Sequence, residues 1–288
     1  MLMKLGLAAW CLYVPRFRKL IDGYYIPVAG PDEDVITLSY ESCSLLRRNG
    51  IASSIKSLIF LTDRHVNGFR AALLADFLKL NSVKAYDVGD FYHLMNLAIE
   101  LAEHGDVLVT MTTSDVAVSA SMVLSSSKFP VEMLSFNALL NTIPLIPNGN
   151  VRNEFHSELY LSKFSSFIYD SLIKLSIDSK DIKYVATNIK DIKYCFKLLK
   201  NVGISDRALE PSKFVSNYGY FSTLHSIVSL IRSLEMASPG DHILYLDIDR
   251  SYNYIILSVL RVNEDLSSLR GCVSTLDKLL NSSLVIVA

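Results

Sequence analysis

Residues 85–96 read AYDVGDFYHLMN, so Asp87, Asp90 and His93 set two carboxylates and an imidazole close together in the chain. Such a set could move a proton. Because i, i+3 spacing on a helix puts Asp90 and His93 on one face, it could also hold a cation. A carboxylate that caps a helix accounts for Asp90 without a metal, and two or three ligands of mixed type are weak ground for one, so no metal site is expected. The polar, Gly-containing elbow joins the short apolar run Val83–Tyr86 to the helix-patterned run Phe91–Ala102. Many α/β enzymes hold a nucleophile at such a junction, yet this one contains neither Cys nor Ser. The four cysteines, Cys11, Cys43, Cys195 and Cys272, lie far apart with no C-x-x-C pair for zinc or redox chemistry. They fit buried thiols in a reducing cytoplasm better than a disulfide framework.

The elements that must position these residues can be read next. In 288 residues, half hydrophobic and with a net charge of −1, there is material for one large cored domain or two fused ones. Lys and Arg are balanced by Asp and Glu and spread along the chain, which offers no electrostatic case for nucleic acid or a membrane surface. The opening MLMKLGLAAWCLYVPRFRK has no clear cleavage site and reads as a first buried strand. Later apolar runs are broken by Asp115, Asn141, Pro144 and Pro147, so no membrane span is expected.

The chain also repeats itself. Residues 35–80 run helix (VITLSYESCSLLRRNG), a linker ending in Ser54-Ile55-Lys56, strand (SLIFLT), helix (HVNGFRAALLADFLKLN). Residues 157–203 run helix (SELYLSKFSSFIYDSLIKLS), a linker ending in Asp181-Ile182-Lys183, strand (YVATN), helix (DIKYCFKLLKNVG). Asp106–Val109 in the first copy answers Pro239–Leu246 in the second. Strands alternating with helices predict α/β layers, and the duplication predicts two similar sheets about a pseudo-twofold: an N-terminal half over 1–150 and a C-terminal half over 151–288, joined by a loop-rich segment near 130–155. The stretch Asp115–Leu124 reads as a half-buried helix.

Tyr13-Val14-Pro15-Arg16-Phe17-Arg18, Gly30-Pro31-Asp32-Glu33-Asp34, the spacing to Asp63-Arg64-His65, Leu209-Glu210-Pro211, Ser216-Asn217-Tyr218 and Pro239-Gly240-Asp241 together resemble archaeal-type 3-hydroxy-3-methylglutaryl-CoA synthase, of the thiolase superfamily, from about residue 5 to 262. The resemblance implies the five-layered αβαβα thiolase-like fold built from two duplicated halves, and a dimer. It also implies a cysteine at the elbow after the third strand, where a helix N-terminus stabilises a thiolate that takes an acyl group from CoA. Matched on the helix, that position falls on Val88 or Gly89. The implied general-base histidine falls on Thr187-Asn188, neither of which shuttles protons near neutral pH. The implied Gly-rich turn, whose bare backbone admits the acyl group and its oxyanion, is replaced by Asp247–Asn253.

Of the implied chemistry, Asp63, His65 and Asn217 remain. Each has a plainer reading: a turn for Asn217, which precedes Tyr218-Gly219, and a capping or core role for His65. Arg16, Arg18 and Lys19 could meet CoA phosphates or form a solvated rim. With nucleophile, base and pocket glycines all replaced, the resemblance implies a catalytically inactive synthase-like subunit. It would be a structural or regulatory partner of an active synthase or thiolase of the mevalonate pathway, as a homodimer or hetero-oligomer, with a zinc-ribbon/OB-fold protein as a further partner. No cofactor is expected unless a CoA thioester binds. The alternative is a divergent acyl-CoA-binding acyltransferase or synthase using Asp63, Asp87 or His93 as acid or base.

Overall fold

The computed structural model describes residues 4–48, 54–62, 69–140, 153–248, 254–266 and 285–286. Strand β1 (Leu5–Tyr13) leads to a hairpin of β2 (Phe17–Ile21) and β3 (Tyr24–Pro27), which turns at Asp22-Gly23, both with positive φ. Two α/β passages follow: α1 (Val35–Arg48), β4 (Ile55–Thr62), α2 (Arg70–Phe77), β5 (Lys84–Val88), α3 (Phe91–Ala102), and β6 (Asp106–Thr113) returning through β7 (Val118–Ser125). The second copy runs β8 (Val131–Leu140), α4 (Asn153–Lys174), β9 (Ile182–Thr187), α5 (Ile192–Val202), α6 (Glu210–Ser216), α7 (His225–Met236), β10 (His242–Ile248) and β11 (Tyr254–Val262). A short β12 (Val285–Ile286) joins the hairpin in a separate three-stranded sheet.

Strand order proves the duplication. The nine-stranded sheet reads β5-β4-β6-β7-β1-β8-β11-β10-β9. Outward from its middle, each half places its first strand beside its last, and then its penultimate and second strands. The pairings repeat as well: β4 with β6 and β9 with β10 are parallel, while β6 with β7, β7 with β1, β10 with β11 and β11 with β8 are antiparallel. The counterpart of β5 beyond β9 is absent among the described residues. In strand order the repeat turns over between β1 and β8, the two strands at the middle of the sheet. Strand β8 lies inside the segment near 130–155 that reads as a connector in the sequence.

The two halves of the nine-stranded sheet join where β1 pairs antiparallel with β8, with Gly6 opposite Glu132. A Cβ at Gly6 would collide with the Val131 carbonyl oxygen and the Phe129 ring, so only glycine lets the strands approach there.

Alternation along each strand sorts the apolar side chains into layers. Val107, Val109 and Met111 of β6 and Ile243 and Tyr245 of β10 point into a central core with Leu94 and Ala98 of α3 and Ile227 and Ile231 of α7. Leu108 points the other way, to α1 and α2, and Leu244 and Leu246 point to α4 and α5. Helices therefore cover both outer faces and fill the middle, giving the five layers α, β, α, β, α. Strand β7 replaces the helix expected over 115–124. Its period-two pattern sends Val118, Ala120, Met122 and Leu124 to the central core. Ser119 and Ser121 face α1, where they bond with Ser42, and Ser121 also with Cys43. Those serines gave the segment its half-polar look.

Candidate functional site

The strands β4, β5, β9 and β10 deliver their C-terminal ends to the N-termini of α3 and α7, so this region carries the candidate chemistry. On the N-terminal side, Val88 is the last residue of β5 and only partly exposed, whereas Gly89 is exposed with open space around its Cα. The helix begins two residues later. Asp90 caps α3 by accepting from the His93 N–H, as its residue type foretells. A nucleophile using that helix N-terminus would stand among Phe91, Tyr92 and His93 rather than at Val88, and none of these is a thiol or an aliphatic hydroxyl. Asp90 and His93 also pair through their side chains at 2.6 Å, in the open. Asp87 turns away and accepts from the Ala71 N–H at the start of α2, and burial raises its pKa. Among the described residues no three His, Cys, Asp or Glu side chains converge as a metal site would require.

On the C-terminal side the residues standing where a base and a glycine turn are implied bond to each other. Asn188 extends the β9–β10 ladder with its side chain. Its Oδ1 accepts from the Ile248 N–H at 2.9 Å, and its Nδ2 donates to the Ile248 carbonyl at 2.8 Å and to Asp247 Oδ1 at 3.1 Å. Asp247 is buried, and its second oxygen accepts from Ser226 Oγ and from the Tyr245 hydroxyl. Thr187, also buried, donates its N–H to Ser212 Oγ, which donates in turn to the Val185 carbonyl. Sequence reasoning missed Ser226, Tyr245 and Ser212, because the network forms only when α6 and α7 fold against the ends of β9 and β10. Phe91 lies against Tyr245 with ring centroids 5.7 Å apart, so the elbow of one half touches the network of the other.

Beside this network His225, the first residue of α7, is 1% exposed. Its Nδ1 accepts from the Phe221 N–H, so the ring proton sits on Nε2, facing Ser216 Oγ at 3.3 Å. Burial pushes its pKa down to about 4. The imidazole is neutral and enclosed, with Tyr220 stacked on it. A His at the start of the amphipathic run HSIVSLIRSLEM was the signal available in the sequence.

The remaining candidates separate. Asn217 is the exposed C-cap of α6, in keeping with a turn role, and lies on a different helix from Ser226. Arg16 and Lys19 are exposed on the hairpin. Arg18 is buried and donates to the Pro15 and Phe17 carbonyls, which withdraws it from the rim proposed for CoA phosphates. The motifs at 13–18 and 30–34 serve the fold. Glu33 accepts from the Tyr13 hydroxyl and the Gly30 N–H, both at 2.6 Å, and Asp34 caps α1. The three described cysteines are all buried. Burial pushes the Cys43 thiol up to about 11 and the Cys195 thiol to about 12, the latter helped by Asp191, so neither is a thiolate near neutral pH. Asp63, His65, Cys272 and residues 249–253 lie outside the described residues.

Comparison with sequence-family models and with curated proteins finds no match. Solved structures do match. An HMG-CoA synthase complexed with CoA superposes with a TM-score of 0.75 at 15% identity, over 98% of this chain and 88% of that one. The HMG synthase of the curacin biosynthetic pathway, in complex with acetyl donor-ACP, gives 0.76 at 10% identity, over 96% and 84%. The 3-oxoacyl-[acyl-carrier-protein] synthase III of Aquifex aeolicus VF5 gives 0.69 at 14% identity, over 89% and 99%. The fold is the thiolase-like one of these condensing synthases. None of the described helices is long and apolar enough to cross a membrane.

Proposed function

We propose that this chain is a non-catalytic thiolase-fold subunit, a structural or regulatory partner of an active synthase or thiolase of the mevalonate pathway. One observation carries the reading: the groups at the end of β9 and β10, where a condensing site needs a base and open backbone, are bonded to one another through Asn188 and Asp247. A satisfied buried network stabilises a fold, and a group already engaged in it is poorly placed to move a substrate proton. The two described thiols with resolved shifts, Cys43 and Cys195, are held protonated in the outer cores. Incubation with radiolabelled acetyl-CoA is expected to leave no covalent acyl group on the protein. Thioester-linked label on any cysteine would refute the reading.

The partner in this reading is another thiolase-fold subunit, a second copy or an active homologue. Among the described strands β5 pairs with β4 alone, leaving its outer edge open, and edges of this kind are paired or covered in stable proteins. Beside it α2 presents Phe69, Leu73 and Phe77 at four-residue spacing, exposed by 87%, 45% and 48%. Ala85, in contrast, packs against the outer core, so charge placed there would disturb the fold as well. The better probes are Leu73→Glu and Phe77→Glu. Together they should convert a dimer or hetero-oligomer, burying more than about 2,000 Å², into soluble monomers with unchanged circular dichroism. A monodisperse monomer of the unmodified chain at micromolar concentration, which also fails to co-purify with a thiolase-fold protein, would remove this reading. A zinc-ribbon/OB-fold protein is a further candidate in the same co-purification.

A second reading, a divergent acyl-CoA-binding acyltransferase, is favoured by the exposed Asp90–His93 pair, an imidazole oriented by a carboxylate at a helix N-terminus. Turnover of an acyl-CoA that His93→Ala abolishes would establish it in place of the first.

A further inference from the structure

The duplication gives the molecule two outer helix pairs, and their exposed faces differ in chemistry. In the first half α2 presents Phe69, Leu73 and Phe77. Its counterpart α5 buries Cys195, Leu198, Leu199 and Val202 and turns Lys193, Lys197 and Lys200 to solvent. Among the described residues none of these three lysines pairs with a carboxylate. The neighbouring α4 buries Phe164, Ile168 and Leu172 in the same outer core. Its exposed side carries Ser162, Ser166, Tyr169 and Ile173, whose spacings of four, three and four residues align them in one row. Tyr169 and Ile173 are 53% and 55% exposed, so the row has an apolar end.

The two rows lie side by side. Helix α4 leads into β9 and α5 leaves it, and both pack on the same outer core, so the helices run parallel to each other and antiparallel to β9. Their C-terminal ends come together: a Cβ at Gly203, the C-cap of α5, would stand 2.9 Å from the Oγ of Ser179, which follows α4. Packed helices have axes about 8–10 Å apart, so the apolar end of one row borders the lysines of the other across the furrow between them. From Lys193 to Lys200 the lysine row rises about 10 Å in two turns, the repeat at which carboxylates recur on one face of another helix. Asp170 is exposed on α4 and Asp191 caps α5, so an unbroken polyanion or an anionic bilayer would also meet like charge here. Lys200 lies toward the start of β9, at the opposite end from Asn188, which separates this surface from the candidate site.

We propose that the outer face of α4 and α5 is a docking surface for an acidic amphipathic helix of a partner protein. The apolar residues of that helix rest on Tyr169 and Ile173, and its carboxylates lie over Lys193, Lys197 and Lys200. Exposed ion pairs are individually weak, so the lysines act together with the apolar contact and the binding is salt-sensitive. The surface depends neither on catalysis nor on the α2 interface. The probe is a fluorescent synthetic peptide of about 18 residues, long enough to be helical alone, with Leu along one face and Glu on its flanks. Titrated with the intact chain, it should bind saturably by anisotropy, and at least about tenfold more weakly when Gln replaces Glu. Combining Lys193→Glu, Lys197→Glu and Lys200→Glu should weaken it as much, and Tyr169→Ser with Ile173→Ser should weaken it at low and high salt alike. Combining Lys19→Glu, Lys56→Glu and Lys128→Glu, which changes the net charge equally on other exposed surfaces, should leave it unchanged. If the first triple variant folds poorly, the same three changes to Gln read out the same loss. The proposal fails if no saturable binding appears up to about 1 mM peptide, if the Gln peptide binds equally well, or if the control triple variant is as weak as the α5 variant. It also fails if phosphatidylserine/phosphatidylcholine vesicles or a DNA duplex bind more tightly than the peptide and are lost with the α5 lysines.

Discussion

Replacing Asn188 by alanine is expected to lower the unfolding free energy by about 3 kcal/mol, read as a fall in the urea midpoint without a change in slope. The side chain makes three bonds that no backbone group can replace, because β9 ends at Thr187, opposite Leu246, and β10 runs two residues further, to Ile248. Without the amide, the Ile248 N–H and carbonyl lose their pairing at the edge of the core, and the buried Asp247 carboxylate loses a donor. A neutral hydrogen bond contributes about 0.5–1.5 kcal/mol net, a bond to a charged group more, and stranding a buried polar group adds to the loss. Asn188→Asp should be at least as damaging, since it sets a second carboxylate against Asp247. Asn188→His, which places an imidazole where a base would be needed, should destabilise the fold and confer no condensation activity. A change below about 0.5 kcal/mol for the alanine variant would show that the network does not hold the fold, and with it the main support for a non-catalytic site would go.

The second large effect is on pH dependence. His225 has a folded-state pKa of about 4, below its ordinary value of 6.5, because burial disfavours the imidazolium. The folded chain therefore refuses a proton that the unfolded chain accepts below pH 6.5. The sign follows: the contribution is unchanged above pH 6.5, stability falls as pH drops from 6.5 toward 4, and little more is lost below that. The shift corresponds to about 3 kcal/mol. Geometry agrees, since a proton on Nδ1 would face the Phe221 N–H that now donates to it. Carboxylates titrate at the lower end of this window, so the informative quantity is the difference from His225→Gln, which can still accept from Phe221 but does not titrate. The variant should hold its melting temperature between pH 6.5 and 5 while the unmodified chain loses stability. Parallel profiles would show that His225 is not the group responsible.

The amino-acid sequence alone determined the local elements and the fact of the repeat. Phe91–Ala102 is the helix that its 3.6-residue apolar period describes, Asp90 is its cap, and α1-β4-α2 and α4-β9-α5 are the two copies that the matching patterns announced. Those are properties of neighbouring residues, fixed by periodicity and capping chemistry. What the sequence could not settle were the places where a segment's conformation depends on what lies across from it. Val118–Ser125 is a strand because β1 and β6 pair with it on both sides, and its serines are tolerable only because Ser42 and Cys43 of α1 stand opposite. β8 stands beside β1 at the middle of the sheet because Gly6 allows the two strands to pair. Arg18, read from its charge as facing CoA phosphates or a solvated rim, is instead buried, with its guanidinium donating to the Pro15 carbonyl. The candidate site belongs to the same class. The sequence offered its residues one position at a time, and the resemblance places Val88 or Gly89 and Thr187-Asn188 where it implies a Cys and a His. That Asn188, Asp247, Ser226 and Tyr245 bond to one another is a fact of tertiary structure, since hydrogen bonds between residues up to 60 apart in the chain form only when α7 packs against the ends of β9 and β10.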